Sequence, residues 1–406
     1  MKVIYFHQHF STPKGSVGSR SFEMASALLR AGHEVTMVCG SYAGGDTGLS
    51  GDFVKGMREG MSAGLHVIEI DLPYSNKDGF IKRSGVFLKF AMRSIFIALR
   101  HDYDLVFATT TPLTAGIPGI FARWLRRKPF VFEVRDLWPE LPKAMGVITN
   151  PLVLKMMSAL EFASYRSAHA CIGLAPGIVD GIKKRGVKHD KISLIPNGCD
   201  IELFQSAEPK RPEGVRESDL VAIYGGTHGQ ANGLHNALNA AKELKARGRE
   251  DIKIMLIGSG AQKADLVKQA KAQGLENVLF FDPMPKPVLA SYIKGADVGM
   301  QLLANVEAFY YGTSPNKFFD YIATGKPVII NYPGWVADMV EQNDCGWAVA
   351  ADDPKAFADA LEQAHARKSE LSEMGERSLE MACRDFNRDT LSKNFVAVLE
   401  ATARKG

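Results

Sequence analysis

Short runs rich in β-branched and aromatic residues alternate with helix-period patterns along almost the whole of this 406-residue chain. No other feature limits the possible folds as much. Residues 3–6, 35–39, 67–70, 105–108, 130–134 and 170–174 read as strands, with helical patterns at 21–29, 86–99, 113–125 and 152–166 between them. Strands alternating with helices predict parallel sheets covered on both faces. After Phe204 the series restarts, with strands expected at 220–224, 254–257, 278–281, 298–300, 328–330 and 347–349. The polar stretch 205–219 separates the two series, and the chain is too long for one ordinary core. Two doubly wound α/β domains, 1–200 and 201–385, are therefore predicted, with a cleft between them. Ligands in such sheets bind beyond the carboxyl ends of the strands, so the strand-to-helix turns are where chemistry is expected.

Composition narrows the class. A hydrophobic content of 46% with 23% charged residues suits a soluble globular protein. Cys39, Cys171, Cys199, Cys345 and Cys383 are scattered singly, so neither a zinc site nor a disulfide framework follows, and a reducing cytoplasm is the expected compartment. The first residues already read as a strand, not a signal peptide, and no apolar run reaches membrane-spanning length. The net charge of +4 is unevenly spread. The first 195 residues are basic and the remainder acidic, which points to an anionic partner of the first half, a membrane surface or a phosphate-bearing acceptor.

The segment from Ser314 to Val328 is the most specific chemically. Pro315 suits a helix start and Gly325 a left-handed helix end. Asn316 and Lys317 fall in the first turn, and Asp320 lies one turn further on the same face. Free N–H groups, the helix dipole and an ammonium together favour phosphate, and the carboxylate can hold ribose hydroxyls. That pattern outlines a sugar-nucleotide site, with the N–H groups of Gly312, Thr313 and Ser314 just upstream.

Four further turns carry candidate ligand residues. Gly15, Ser16, Gly18 and Arg20 follow the first strand, and Gly225, Gly226, Thr227, His228 and Asn232 open the second series. Gly258, Ser259 and Gly260 follow a later strand, and Pro283 stiffens the turn after the next. Glycines let a backbone approach an anion closely, but none of these turns fits the dinucleotide fingerprint. Arg135, Asp136, Trp138 and Glu140 crowd the turn after the strand at 130–134. Arg135 suits a phosphate or a sugar carboxylate, Trp138 a sugar ring or acceptor, and Asp136 or Glu140 an acceptor hydroxyl; a structural Arg–Asp pair is the alternative. Lys82, Lys89, Arg93 and Arg100 recur at spacings that make one stripe of a helix, with Arg83 beside them. That helix reads either as a core helix with a solvated edge or as an interfacial membrane helix. Residues 40–64 hold eight glycines and no proline, which predicts a mobile loop gating the site or a tolerated insertion.

These motifs resemble one family. Pro315, Lys317, Asp320, Tyr321, Ala323, Gly325, Pro327 and Val328 resemble the second half of the acidic motif of family-4 retaining glycosyltransferases, with Asp for the usual Glu. Pro196-Asn-Gly-Cys-Asp200 with Phe204 resembles its interdomain segment, and Ile257-Gly-Ser-Gly260 its second-lobe turn. Arg135-Asp-Leu-Trp-Pro-Glu140 resembles a block of the bacterial O-antigen and capsule N-acetylaminosugar transferases of the fucosamine type. The resemblance implies the GT-B fold, two Rossmann-like lobes facing a central cleft, with the last helix, 386–406, packed on the first lobe. It implies a UDP-sugar donor, a lipid-diphosphate-linked saccharide acceptor, retention of configuration and no metal or other cofactor. The expected setting is cytoplasmic, peripheral to the anionic inner face of the membrane, with no nucleic acid as partner. Two departures stand out. Thr227 and Asn232 replace the Arg and Lys that grip pyrophosphate in many members, and Gly312 stands where the first acid belongs, leaving Glu307 as the nearest acid or the N–H groups of Gly312, Thr313 and Ser314 to take over its role. A UDP-sugar 2-epimerase, or a silent sugar-nucleotide-binding subunit, is the alternative.

Overall fold

The computed structural model describes residues 1–15, 18–74 and 78–405. The chain divides into two compact units. The first comprises 1–196 with 312–314 and 389–406, and the second comprises 197–311 and 315–388.

In the first unit the elements are β1 (Lys2–Phe6), α1 (Arg20–Arg30), β2 (Glu34–Tyr42), β3 (Met57–Ser62), β4 (Leu65–Tyr74), α2 (Phe80–Arg100), β5 (Leu105–Thr109), α3 (Ile117–Leu125), β6 (Phe130–Val134), α4 (Glu140–Ala144), α5 (Pro151–Ser167), β7 (Ala170–Gly173), α6 (Pro176–Lys184) and β8 (Ile192–Leu194). They form one eight-stranded sheet in the order β3-β4-β2-β1-β5-β6-β7-β8. All its pairs are parallel except β3 with β4. β5 and β6 are buried along their whole length, as strands covered on both faces must be. Local chemistry sets the helix ends. Asn150 accepts from the N–H groups of Leu152 and Val153, with Pro151 in the first turn of α5.

The glycine-rich stretch 40–64 is not one long loop. β2 runs on to Tyr42, and β3 pairs antiparallel with β4 through a turn at Ala63 (φ +50°) and Gly64 (φ +83°). Both residues take the left-handed conformation that a two-residue hairpin turn demands. Gly48, Gly51 and Gly56 also have positive φ, so these glycines serve turns.

The second unit continues with α7 (Ile201–Gln205), β9 (Leu220–Gly225), α8 (His235–Ala246), β10 (Ile252–Ile257), α9 (Lys263–Ala272), β11 (Val278–Phe281), α10 (Lys286–Gly295), β12 (Val298–Gln301), α11 (Glu307–Gly312), α12 (Asn316–Ala323), β13 (Val328–Ile330), α13 (Trp335–Gln342), β14 (Gly346–Ala348), α14 (Pro354–Ala366) and α15 (Leu371–Asp385). Its sheet is parallel throughout, ordered β11-β10-β9-β12-β13-β14. The final helix, α16 (Arg388–Ala403), packs into the first unit's core through Leu391, Phe395 and Leu399. The Phe395 ring meets Phe107 of β5 edge-on at 4.9 Å.

Candidate functional site

In the second sheet β9 lies between β10 and β12, so the strand order reverses beside it. Open α/β sheets bind ligands beyond the strand ends at such a point. Gly225 closes β9, and its N–H donates to the Tyr321 hydroxyl at 3.1 Å, tying α12 to the strand end. Gly226 follows with φ +154°, and a Cβ there would stand 3.1 Å from Cδ of Lys317. Lys317 Nζ donates to Asn232 Oδ1 at 3.3 Å and sits 5.0 Å from the centre of the Tyr224 ring. Gly226, Asn232 and Lys317, selected separately from the sequence, therefore meet at one point. Asn232 thus supplies an acceptor that aims the Lys317 ammonium. Thr227 is exposed, and its carbonyl accepts the Tyr224 hydroxyl at 2.8 Å.

Two glycine turns interlock beneath this point. Gly226 N–H donates to the Ile257 carbonyl at 2.9 Å, and His228 N–H to the Ser259 carbonyl at 2.8 Å. A Cβ on Gly258 would overlap the Gly226 carbonyl oxygen, and one on Gly260 the His228 carbonyl. His228 is thus braced through its backbone. Its ring is fully buried, neither ring nitrogen has a hydrogen-bond partner among the described residues, and burial with the nearby Lys263 charge pushes its pKa down to about 4.

Helix α12 begins at Asn316 with Pro315 as its cap and ends into Gly325 at φ +72°. Burial pushes the Lys317 ammonium down to about 8. Asp320 lies 3.4 Å from Lys286 Nζ. Burial raises its carboxyl above the usual range, against the pull of Lys286 and Arg388. A diphosphate at the start of α12 would meet an ammonium and the helix N–H groups, and a carboxylate one turn away suits a diol. Gly312 ends α11, Thr313 and Ser314 follow it, and Pro283 is exposed in the turn before α10. Glu307 is exposed at the start of α11, and among the described residues no hydrogen bond or ion pair joins it to Lys317 or Asp320.

The first unit puts several candidates to other uses. Arg20 donates from Nη2 to Glu133 Oε2 at 2.8 Å and to the Ile195 carbonyl at 2.9 Å, and from Nη1 to the Pro196 carbonyl at 2.7 Å. It braces the end of the sheet, sharing the buried Glu133 carboxylate with Arg135. Arg135 likewise donates to Thr109 Oγ1 at 2.9 Å, Ser21 Oγ at 2.7 Å and Glu133 Oε1 at 3.2 Å. Glu140 is exposed and 3.4 Å from Arg185, an arrangement that fastens α4 to α6. Asp136 is the acid that keeps a chemical environment: burial raises its carboxyl, opposed by Arg135. Trp138 has its indole nitrogen buried without a partner among the described residues. At Gly15 a side chain would strike Ser11, Gly18 is exposed, and Ser16 lies outside the described residues.

The sequence reading missed His7, Gln8 and His9. They form the turn directly after β1, the strand beside which the first sheet's order reverses. Among the described residues, His7 Nδ1, both amide atoms of Gln8 and His9 Nε2 are buried without partners. The His9 ring stacks on Tyr74 at 4.7 Å and lies 4.9 Å from Tyr42. Burial, then Arg135, pushes His9 down to about 4 and His7 well below its ordinary value. The signal was a His-Gln-His triplet closing an apolar strand. Of the basic helix residues, Lys82, Lys89, Arg93 and Arg100 are exposed on α2, whereas Arg83 is half-buried beside Tyr74, and its charge helps to hold His9 neutral. Arg83 therefore belongs to this polar cluster and not to the outer stripe.

The chain matches the Glycosyl transferase 4-like domain over residues 15–198 and the Glycosyl transferases group 1 domain over 205–381. It is 21% identical over 345 residues to the Escherichia coli (strain K12) chain named for colanic acid biosynthesis, glycosyl transferase WcaI. That alignment covers 81% of this chain and 83% of the relative. D-inositol 3-phosphate glycosyltransferase of Corynebacterium urealyticum is 28% identical over 219 residues, and the chain spans about half of that relative's length. Among solved structures, sucrose-phosphate synthase from Thermosynechococcus elongatus aligns over all of both chains with TM-score 0.76 and 17% identity. HepE from Anabaena, solved with UDP-glucose, aligns over 99% of this chain and 100% of its own with TM-score 0.68 and 16% identity.

Proposed function

This chain belongs to the glycosyltransferases of the GT-B fold, and we propose that it moves a sugar from a UDP-activated donor to a lipid-diphosphate-linked saccharide, with retention of configuration. The observation that carries the donor half is the meeting of Lys317, Asn232 and Gly226 at the start of α12. In this reading the donor diphosphate lies against those groups, and Lys317 with the helix N–H groups stabilises the negative charge that develops on the leaving oxygen. Asp320 holds the ribose hydroxyls. In this reading no metal ion takes part, and the Lys317 ammonium and the start of α12 offset part of the charge on the leaving diphosphate. Asp136 orients the acceptor hydroxyl, aided by the buried polar groups of His7, Gln8 and His9.

The acceptor class and the setting rest on chemistry and likeness. A name in colanic acid biosynthesis on a relative aligned over most of its length favours polysaccharide assembly. The block at 135–140 favours an N-acetylated or deoxy amino sugar. The exposed cations of α2 favour peripheral attachment at the anionic inner face of the membrane. Purified protein incubated with a panel of UDP-sugars and a short lipid-diphosphate-GlcNAc, with and without EDTA, tests the reading by mass spectrometry. A lengthened acceptor plus UDP, unaffected by EDTA, is expected. An isomerised donor without an acceptor product would make the chain an epimerase, and binding without turnover across the panel a silent subunit.

A further inference from the structure

We infer that the outer faces of α2, α3 and α5 together form a bilayer-docking surface that inserts apolar side chains as well as attracting anionic headgroups. It deepens the membrane attachment proposed above, and its test requires neither donor nor transfer. At 100° per residue the solvent arc of α2 splits in two. Leu88, Met92 and Phe96 occupy one half and Lys89, Arg93 and Arg100 the other, and all six are exposed. Its opposite arc, with Phe90, Ile95 and Ile97, is buried. A helix that only covered a core would show water a polar arc.

The next helix repeats the pattern. α3 packs against α2 and exposes Trp124 at 62% and Leu125 at 64%, with Arg123 5.5 Å from the Trp124 ring centre. α5 packs against α3 and exposes Leu152 and, at 65%, Met156, one turn apart, with Lys155 exposed between them. Three adjacent helices thus present large apolar groups, each edged by cations. Exposed apolar groups gathered on neighbouring elements and edged by polar residues mark an interaction surface.

Charge decides the occupant. The sequences of α2 and α3 contain no acid, and the single acid of α5, Glu161, is buried beside Arg185. A protein partner would ordinarily find mixed charge here, whereas a uniformly basic and apolar face complements an anionic lipid surface. No helix among the described residues is long and apolar enough to cross a membrane, so the attachment is interfacial.

Co-sedimentation of the full chain with phosphatidylglycerol/phosphatidylethanolamine (7:3) vesicles tests this. Binding is expected at low salt, with a residual fraction surviving 0.5 M NaCl, because insertion is not screened while headgroup attraction is. Trp124→Ser with Leu125→Ser should lower the partition coefficient by about tenfold and remove the salt-resistant fraction, while UDP binding by the second unit stays unchanged. Met156→Ser, a single milder change on another helix, should do the same in smaller measure and covers the case in which the double variant misfolds. No binding by the wild type, or binding that all these variants retain, would overturn the inference. So would a dimer in light scattering that the α3 variant dissociates without changing vesicle binding, since a second copy would then be the occupant.

Discussion

Arg20 and Glu133, 113 residues apart in sequence, form an ion pair of 2.8 Å whose side chains are 7% and 0% exposed. Glu133 also accepts from Thr109 at 2.7 Å and from Arg135. Burial pushes the Glu133 carboxyl up, but Arg20 and Arg135 outweigh it and hold the group below its ordinary value.

Glu133→Gln should therefore unfold the first unit more readily, by about 3–5 kcal/mol, because two guanidiniums lose one buried partner. Differential scanning calorimetry checks it. The depressed carboxyl also sets a direction with pH. Its contribution is complete above the ordinary carboxylate range and is lost as pH falls through the folded value. The variant's acid limb should be shallower than the wild type's. An unchanged melting temperature would return Arg20 and Arg135 to the candidate ligand groups.

Lys317 makes a prediction about binding. Its ammonium titrates near pH 8 in the free protein, and a bound diphosphate must raise that value. UDP affinity should stay flat from pH 7 to about 8 and then weaken by up to about tenfold per pH unit. Isothermal titration across pH 7–10 measures this, and Lys317→Met should bind weakly and without the slope. A wild-type profile flat to pH 10 would place the diphosphate elsewhere.

How much of this was legible beforehand follows the range of the interactions. Helix α12 was readable because its start, its face and its end are set by local residues: Pro315, the spacing of Lys317 and Asp320, and Gly325. The two sheets were readable from alternating patterns, except at the two edges of the first: β3 carries Arg58 and Glu59, and β8 is only three residues long. The pairing of Arg20 and Arg135 with Glu133 was not legible, because a cation in a turn looks the same whether it awaits a phosphate or faces a buried carboxylate from a distant strand. Arg83 was misplaced for the same reason, its neighbours Tyr74 and His9 coming from other elements. His7, Gln8 and His9 escaped because a triplet without its aromatic surroundings carries no geometry.

Asp320 and Lys317 should separate by ligand. If the carboxylate holds ribose hydroxyls and the ammonium the diphosphate, Asp320→Asn weakens UDP and uridine alike. Lys317→Met weakens UDP and spares uridine. Each loss should be about 10–100-fold, the range of one charge-assisted hydrogen bond. Competition titrations against a labelled nucleotide read both, and equal losses for the two ligands in the lysine variant would remove it from the diphosphate.

The interlocked glycine turns give a last prediction, with a control in the same unit. Gly248 has φ +71° and open space around the Cβ position, whereas Gly258 has φ +148° and the Gly226 carbonyl in the way. Gly248→Ala should cost only the backbone strain, about 1–2 kcal/mol, and leave UDP affinity alone. Gly258→Ala pays strain and also forces the Gly226 backbone away, which moves the wall against which Lys317 rests. Its melting point should fall further, and UDP affinity should drop even at temperatures where the protein remains folded. Thermal melts with and without UDP distinguish the two effects. A Gly258→Ala protein that bound UDP normally would mean that the nucleotide does not depend on the contact between these two turns.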